Sequence, residues 1–306
     1  MNSSPRSTRQ WRSSDTSAVA SPRNNFALVQ LPNGTHSVYA ADYGEKMHPG
    51  LGPQAEADLL YVRQLKLPER MRATTEEFVV WDVGLGAAAN ALAVLRATKE
   101  ISKPLHLVSF DNTAEPLQFA LENAAALGYL AEYQSALATL LRDGQICFQN
   151  GQSEVRWQFH LTDFPTWLEQ QQTAHQINAP HAILFDAFSP AKNPAMWTLR
   201  LFTNLFRVLA PNRPCNLTTY SRSTMFRVTL LRAGFFLGSG VATGLKEETT
   251  VAANDLRLIE KPLDQRWLER ARRSDSAEPL IDPVYRRAPL SETSWEKLRA
   301  HPQFQP

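Results

Sequence analysis

The chain has 306 residues, is 43% hydrophobic and 20% charged, and carries a formal net charge of +2. That length fits one large domain or two small ones, and the composition is ordinary for a soluble globular protein rather than a fibrous or disordered one. Apolar runs such as 87–95 are too short to cross a bilayer, so no membrane partner is expected.

The first segment, 1–23, holds four arginines against one aspartate and lacks the apolar core of a secretory signal. It reads as a disordered basic tail. Residues 24–70 read as a cap. Two strands, 26–31 and 35–40, flank Asn33-Gly34, a strong hairpin signal. A helix over 53–65 follows, with Leu59, Leu60 and Val62 on its apolar side and Glu56 near its start.

From Phe78 the pattern alternates. Strands are expected at 78–83, 105–110, 182–185 and 215–220, and helices at 87–98, 115–127, 130–142, 165–171, 195–209 and 223–233, the last with Ser223 as N-cap. Residues 145–149 and 155–161 suggest an inserted hairpin, and 235–241 with 249–253 a closing strand pair. Such alternation implies right-handed βαβ units and a mostly parallel α/β sheet over 71–260. The remainder, 261–306, mixes a helix-like 265–273 with proline-rich chain and is expected to wrap the surface of the core.

The first of these strands ends in Asp82-Val-Gly84-Leu85-Gly86-Ala-Ala88-Ala89-Asn90. A glycine turn between strand and helix lets the backbone approach a ligand at a helix N-terminus. Gly84, Gly86 and Ala89 fit a dinucleotide fingerprint. Asp82, Gly84 and Gly86 equally fit an S-adenosylmethionine loop. Asp82 tips the balance, because a carboxylate under a pyrophosphate is repelled, whereas it suits a cofactor bearing an amine and a sulfonium. Asp111, ending the next strand, is placed for ribose hydroxyls. Asp163, ahead of Phe164, serves either as an adenine partner or as a helix N-cap.

The segment Ala182-Ile-Leu-Phe-Asp186-Ala-Phe188-Ser-Pro190-Ala-Lys192-Asn193-Pro194 carries the second signal. A buried parallel strand needs no acid at its carboxyl end, and that end is where ligands bind in open α/β sheets. Between Asp186 and Glu247 there is no acid at all, but there are eight basic residues: Lys192, Arg200, Arg207, Arg213, Arg222, Arg227, Arg232 and Lys246. They present a positive field to phosphates, or else are balanced in space by acids from elsewhere. Cys147 and Cys215 have no metal-ligand or redox spacing, so no metal is expected, and a cytoplasmic setting is the simple reading.

Asp82–Asn90 and Phe185-Asp-Ala-Phe-Ser-Pro-Ala-Lys-Asn-Pro-Ala-Met-Trp197 resemble the methyltransferase part of the bifunctional MnmC enzymes, over roughly 38–253 and including Gly52-Pro-Gln-Ala-Glu56-Ala. The resemblance implies a Rossmann-like S-adenosylmethionine-dependent methyltransferase fold with helices on both sheet faces. It implies methylation of the aminomethyl group of 5-aminomethyl-2-thiouridine at the tRNA wobble position, with tRNA as partner. Asp186 would be catalytic. Glu56, Asp82, Gly84, Leu85, Gly86, Asn90, Asp111, Asp163 and Phe164 would meet the cofactor; Phe188, Pro190, Lys192, Asn193 and Lys246 would meet the substrate. The family loop usually has a third glycine where Ala88 stands, and the sequence holds no second dinucleotide fingerprint, so a form without the flavin oxidase is expected. Two other readings stay open: a methyltransferase for a small-molecule amine, and a non-catalytic RNA-binding protein on the same scaffold.

Overall fold

A computed structural model describes residues 25–174, 178–244 and 247–305. The tail 1–23 and Lys246 lie outside them. Strands β1 (Phe26–Gln30), β2 (His36–Ala40) and β3 (Glu45–Lys46) form a small antiparallel sheet in that order. Helix α1 (Pro53–Ala57) then runs into a π-helical segment, Asp58–Arg63, followed by α2 (Leu67–Ala73). A single helix over 53–65 was expected here. The wider π turn lets three consecutive residues, Leu60, Tyr61 and Val62, all bury, at 1%, 0% and 2% exposure.

The main unit continues with β4 (Phe78–Val83), α3 (Ala89–Thr98), β5 (Leu105–Asp111), α4 (Glu115–Glu122), α5 (Ala124–Leu127), α6 (Gln134–Asp143), β6 (Gln145–Asn150) and β7 (Ser153–Leu161). After these come α7 (Phe164–Ala174), β8 (Ala182–Phe185), α8 (Leu199–Val208), β9 (Asn216–Thr219), α9 (Thr224–Ala233), β10 (Phe236–Ser239), β11 (Thr250–Ala253), α10 (Gln265–Arg272) and α11 (Glu292–Arg299). The order across the eight-stranded sheet is β10-β11-β9-β8-β4-β5-β7-β6. The five central strands pair in parallel; β6 and β11 run against their neighbours. The inserted hairpin and the closing pair are thus present.

Alternate residues of each central strand enter different cores. Phe78 and Val80 of β4 join one apolar cluster with Leu60, Leu92, Leu117 and Leu140; Val79, Trp81 and Val83 join another with Leu168, Phe202 and Phe226. Period-two alternation in a strand buried on both faces is the reason. Helices therefore cover both faces.

Chain order reverses direction at β4. The chain moves outward from β4 through β5 and β7, then crosses back to β8 on the other side. A crevice opens outside the carboxyl ends of two strands whose connections leave in opposite directions. Asp82–Gly86 and Asp186 stand there.

The C-terminal segment does more than lie on the surface. Trp267, Leu268, Leu298 and Phe304 enter the same apolar cluster as Trp81, and Gln303 Nε2 donates to the carbonyls of Leu237 (2.8 Å) and Leu263 (2.9 Å). Helix α11 is short and amphipathic, too brief for its pattern to stand out. Leu298 is fully buried, so Leu298→Ala should cost about 2–5 kcal/mol. Chemical denaturation checks this: an unchanged midpoint would show that α11 is peripheral to stability.

Candidate active site

Strand β4 hands over to α3 through Gly84, Leu85, Gly86, Ala87 and Ala88. Gly84 has φ of 96°, and a Cβ there would stand 2.8 Å from the carbonyl oxygen of Asp186. No side chain fits, so the ends of β4 and β8 approach directly; Asp186 N donates to Val83 O at 2.9 Å. Ala88 adopts φ of 63° at the N-cap of α3, a conformation that favours glycine. Left-handed backbone at an alanine costs about 1–2 kcal/mol.

Asp111 closes the turn from β5. Its Oδ2 accepts from Gly86 N at 2.9 Å and its Oδ1 from Thr113 N at 3.3 Å. Burial raises its carboxyl above the usual range, against the pull of these backbone donors. Asp82 lies behind the turn. It is fully buried; its Oδ2 accepts from Ser109 Oγ at 3.0 Å, while Oδ1 has no partner among the described residues. Burial, reinforced by Asp186 and Asp111, holds this acid well above its ordinary value.

Asp186 faces the crevice. Its Oδ2 accepts from Asn90 Nδ2 at 2.8 Å, and His48 Nε2 stands 3.7 Å from the same oxygen. The hydroxyl of Tyr61 is buried close by, and burial together with the Asp186 charge keeps that phenol well above its usual value. Glu56 is 6% exposed and accepts from Gly50 N at 3.2 Å. Burial raises its carboxyl, with His48 pulling the other way.

These groups border one cavity of about 440 Å³, within the range of small-molecule sites. Of the residues expected at the site, Glu56, Gly84, Leu85, Gly86, Asn90, Asp111, Asp163, Phe164, Asp186, Phe188 and Asn193 line it. Asp163 also accepts from Thr166 N (3.1 Å), so it caps α7 while facing the cavity. Phe164 is 3% exposed and packs edge-on against Trp81 and Phe110. Pro190 and Lys192 lie on the loop beyond the wall, with Lys192 exposed. Asn193 N donates to Ser189 O at 2.8 Å, holding that loop. Trp197 is core, and its Nε1 donates to Phe188 O at 2.8 Å.

The cap supplies residues that sequence reasoning missed: Tyr43, Glu45, Met47 and His48. Tyr43 stacks on Phe188 with ring centroids 3.9 Å apart and planes 12° from parallel. Glu45 accepts hydrogen bonds from Ser189 N (3.2 Å) and Ser189 Oγ. Only the acid-aromatic mix of 43–48 hinted at this, and no spacing ties it to β8.

The basic stretch does not form one open positive face. Arg200 pairs with Glu169, Arg213 with Glu76, Arg222 with Glu247, and the buried Arg227 with Glu248.

Five carboxylates line the cavity (Glu45, Glu56, Asp111, Asp163 and Asp186), against Lys46 and His48. A pyrophosphate would be repelled there. The buried Asn90 Oδ1 has no donor among the described residues. An acidic cradle with a spare acceptor and a glycine turn suits the ammonium, ribose and sulfonium of S-adenosylmethionine.

Comparisons agree with that chemistry. Residues 127–255 match the S-adenosyl-L-methionine-dependent methyltransferase family. The tRNA 5-methylaminomethyl-2-thiouridine biosynthesis bifunctional protein MnmC of Azoarcus sp. (strain BH72) is 31% identical over 219 residues, 69% of this chain and 33% of that protein. The MnmC of Methylibium petroleiphilum is 28% identical over 235 residues, covering 74% and 34%. The chain thus spans about a third of the length of these relatives. Among solved structures, MNMC2 from Aquifex aeolicus aligns with a TM-score of 0.64 at 20% identity, over 90% of this chain and 84% of that one, a likeness of fold.

The buried acids make stability depend on pH. Glu56, Asp82 and Asp111 all have raised carboxyl values in the folded protein. They bind protons more tightly folded than unfolded, so the cofactor-free protein should lose stability as pH rises from the ordinary carboxylate range through their folded values. Asp82→Asn should flatten that decline. Thermal melts across pH check this; an identical slope in the variant would mean Asp82 is ionised in the fold.

Proposed function

We propose, for a chain that carries an S-adenosylmethionine-dependent methyltransferase region of the MnmC type, that it methylates the aminomethyl group of 5-aminomethyl-2-thiouridine in tRNA. The observation that carries the reading is Asp186: an acid at the switch point, fixed by Asn90 and facing a cavity next to the glycine turn.

When bound, S-adenosylmethionine supplies an electrophilic methyl on a sulfonium. Gly84, Gly86 and Asp111 would hold it at the β4 and β5 ends, with Asn90, Asp163 and Phe164 on its flanks. Asp82 acts from behind, where its bond from Ser109 ties the end of β4 to β5. The acceptor amine has to be neutral to attack. Asn90 donates to Oδ2 of Asp186 and fixes the carboxylate, whose further lone pairs would accept from the amine and aim its lone pair. Positioning supplies much of the rate in such a displacement. Phe188 and Tyr43 form an aromatic wall against which an everted base can stack, as enzymes acting on bases require. Lys192, exposed beside this wall, and Lys246 are the proposed phosphate contacts. Methyl transfer in this scheme draws on no flavin and no metal.

Asp186→Ala should fold and bind cofactor yet transfer methyl groups about 10²–10⁴-fold more slowly in single turnover. Turnover equal to the parent would remove Asp186 from its role.

One observation favours a second reading. Because four of the arginines in the basic stretch are already paired with acids, the site also suits a small free amine. Binding to tRNA that weakens steeply with salt supports the RNA acceptor; salt-insensitive or absent binding, with turnover of polyamines, supports the small amine.

A further inference from the structure

His48 has no part in the scheme above, yet it borders the reacting end of the cavity. It lies in the cap, just after β3, with φ of 51°. A histidine in left-handed backbone is uncommon, and such residues gather at functional sites. Its ring sits between two acids. Nε2 is 3.7 Å from Asp186 Oδ2, and the ring is near enough to the Glu56 carboxyl, which approaches from α1, to act on it electrostatically when it carries a proton. The other titratable groups near this pair, among the described residues, are Asp82 on β4, Tyr61 on the π segment and Tyr220 after β9, the two phenols held neutral by burial and by Asp186, with Tyr43, Glu45 and Lys46 on the cap itself.

An alkyl ammonium titrates at about 10.4, an aspartate at about 3.9 and a histidine at about 6.5. Transfer from ammonium to carboxylate alone is uphill by roughly six and a half pH units, and to imidazole by about four. A proton acceptor works best when its value lies near the working pH. A carboxylate can orient the amine but in general is a poorer place to leave its proton than an imidazole. We propose that His48 is the proton acceptor of this site, receiving the acceptor amine's proton by way of Asp186.

The bookkeeping is simple. An N–H bond of the substrate ammonium breaks, and its electron pair stays on nitrogen as the lone pair used in methyl transfer. The proton first forms an O–H bond on the Asp186 carboxylate; that bond breaks as one water carries the proton across the 3.7 Å gap to form an N–H bond at His48 Nε2. The resulting imidazolium lies between Asp186 and Glu56, which offset its charge, and it later releases the proton to water. The proposal rests on the amine-methylating reading above.

The test is His48→Gln, with tRNA bearing aminomethyluridine and with the free aminomethyl nucleoside as acceptors. Single-turnover methylation at neutral pH should fall about 100-fold, with cofactor affinity by calorimetry unchanged. The deficit should shrink as pH rises towards the amine's own range, and added imidazole should restore part of the neutral-pH rate. An unchanged pH profile overturns the proposal, and so does a loss equal at every pH without imidazole rescue. Wild-type turnover of the nucleoside but not the tRNA overturns the RNA acceptor alone, since the His48 comparison then runs on the nucleoside. If wild type methylates neither, both fall. One further readout needs no acceptor: in the cofactor-free protein at fixed pH, Asp186→Asn should move the ring-nitrogen NMR signals of His48 and leave those of His106 in place. Unmoved His48 signals overturn the coupling.

Discussion

The site depends on one close approach. The carboxyl ends of β4 and β8 meet where Gly84 passes beneath the Asp186 carbonyl, a contact that excludes any side chain at Gly84. From that point the chain leaves in opposite directions, to α3 on one face and towards α8 on the other. The crevice between them is a consequence of strand order, not of any special loop. It brings the glycine turn, Asn90 and Asp186 into one wall.

Charge gives that wall its selectivity. Acids stand at the ends of β5 and β8, at the start of α7, on α1 and on the cap, while Asp82 sits buried behind them. Burying several carboxyls together raises their proton affinity and costs stability in the absence of a cationic ligand. A ligand with an ammonium and a sulfonium offsets that cost; a pyrophosphate adds to it. The same field lies around the acceptor amine and around His48, so cofactor choice and proton handling share one cause.

Much of this was legible in the sequence where the chemistry is local. Asp82 to Asn90 and Phe185 to Trp197 each span a strand end and its loop, so Gly84 and Asp186 could be read as ligand-facing from their positions, and the resemblance added Asn90. The alternation of strands and helices likewise foretold the parallel sheet, and the resemblance its two covered faces. What escaped depends on contacts between distant segments. His48 and Tyr43 come from a cap loop without periodicity and Tyr61 from the helical segment after it, and they reach the site only by tertiary packing. The charge stretch stayed ambiguous for the same reason: Arg213 finds Glu76, 137 positions away. The π segment arose from packing demand on Leu60, Tyr61 and Val62, and helix α11 from a pattern too short to read.

The central claim is that the amine presented to Asp186 belongs to a wobble uridine. The most direct measurement is mass spectrometry of tRNA nucleosides from cells with and without this protein. The account predicts that 5-aminomethyl-2-thiouridine accumulates, and its methylated form disappears, when the protein is absent. Identical nucleoside profiles in the two strains would contradict it.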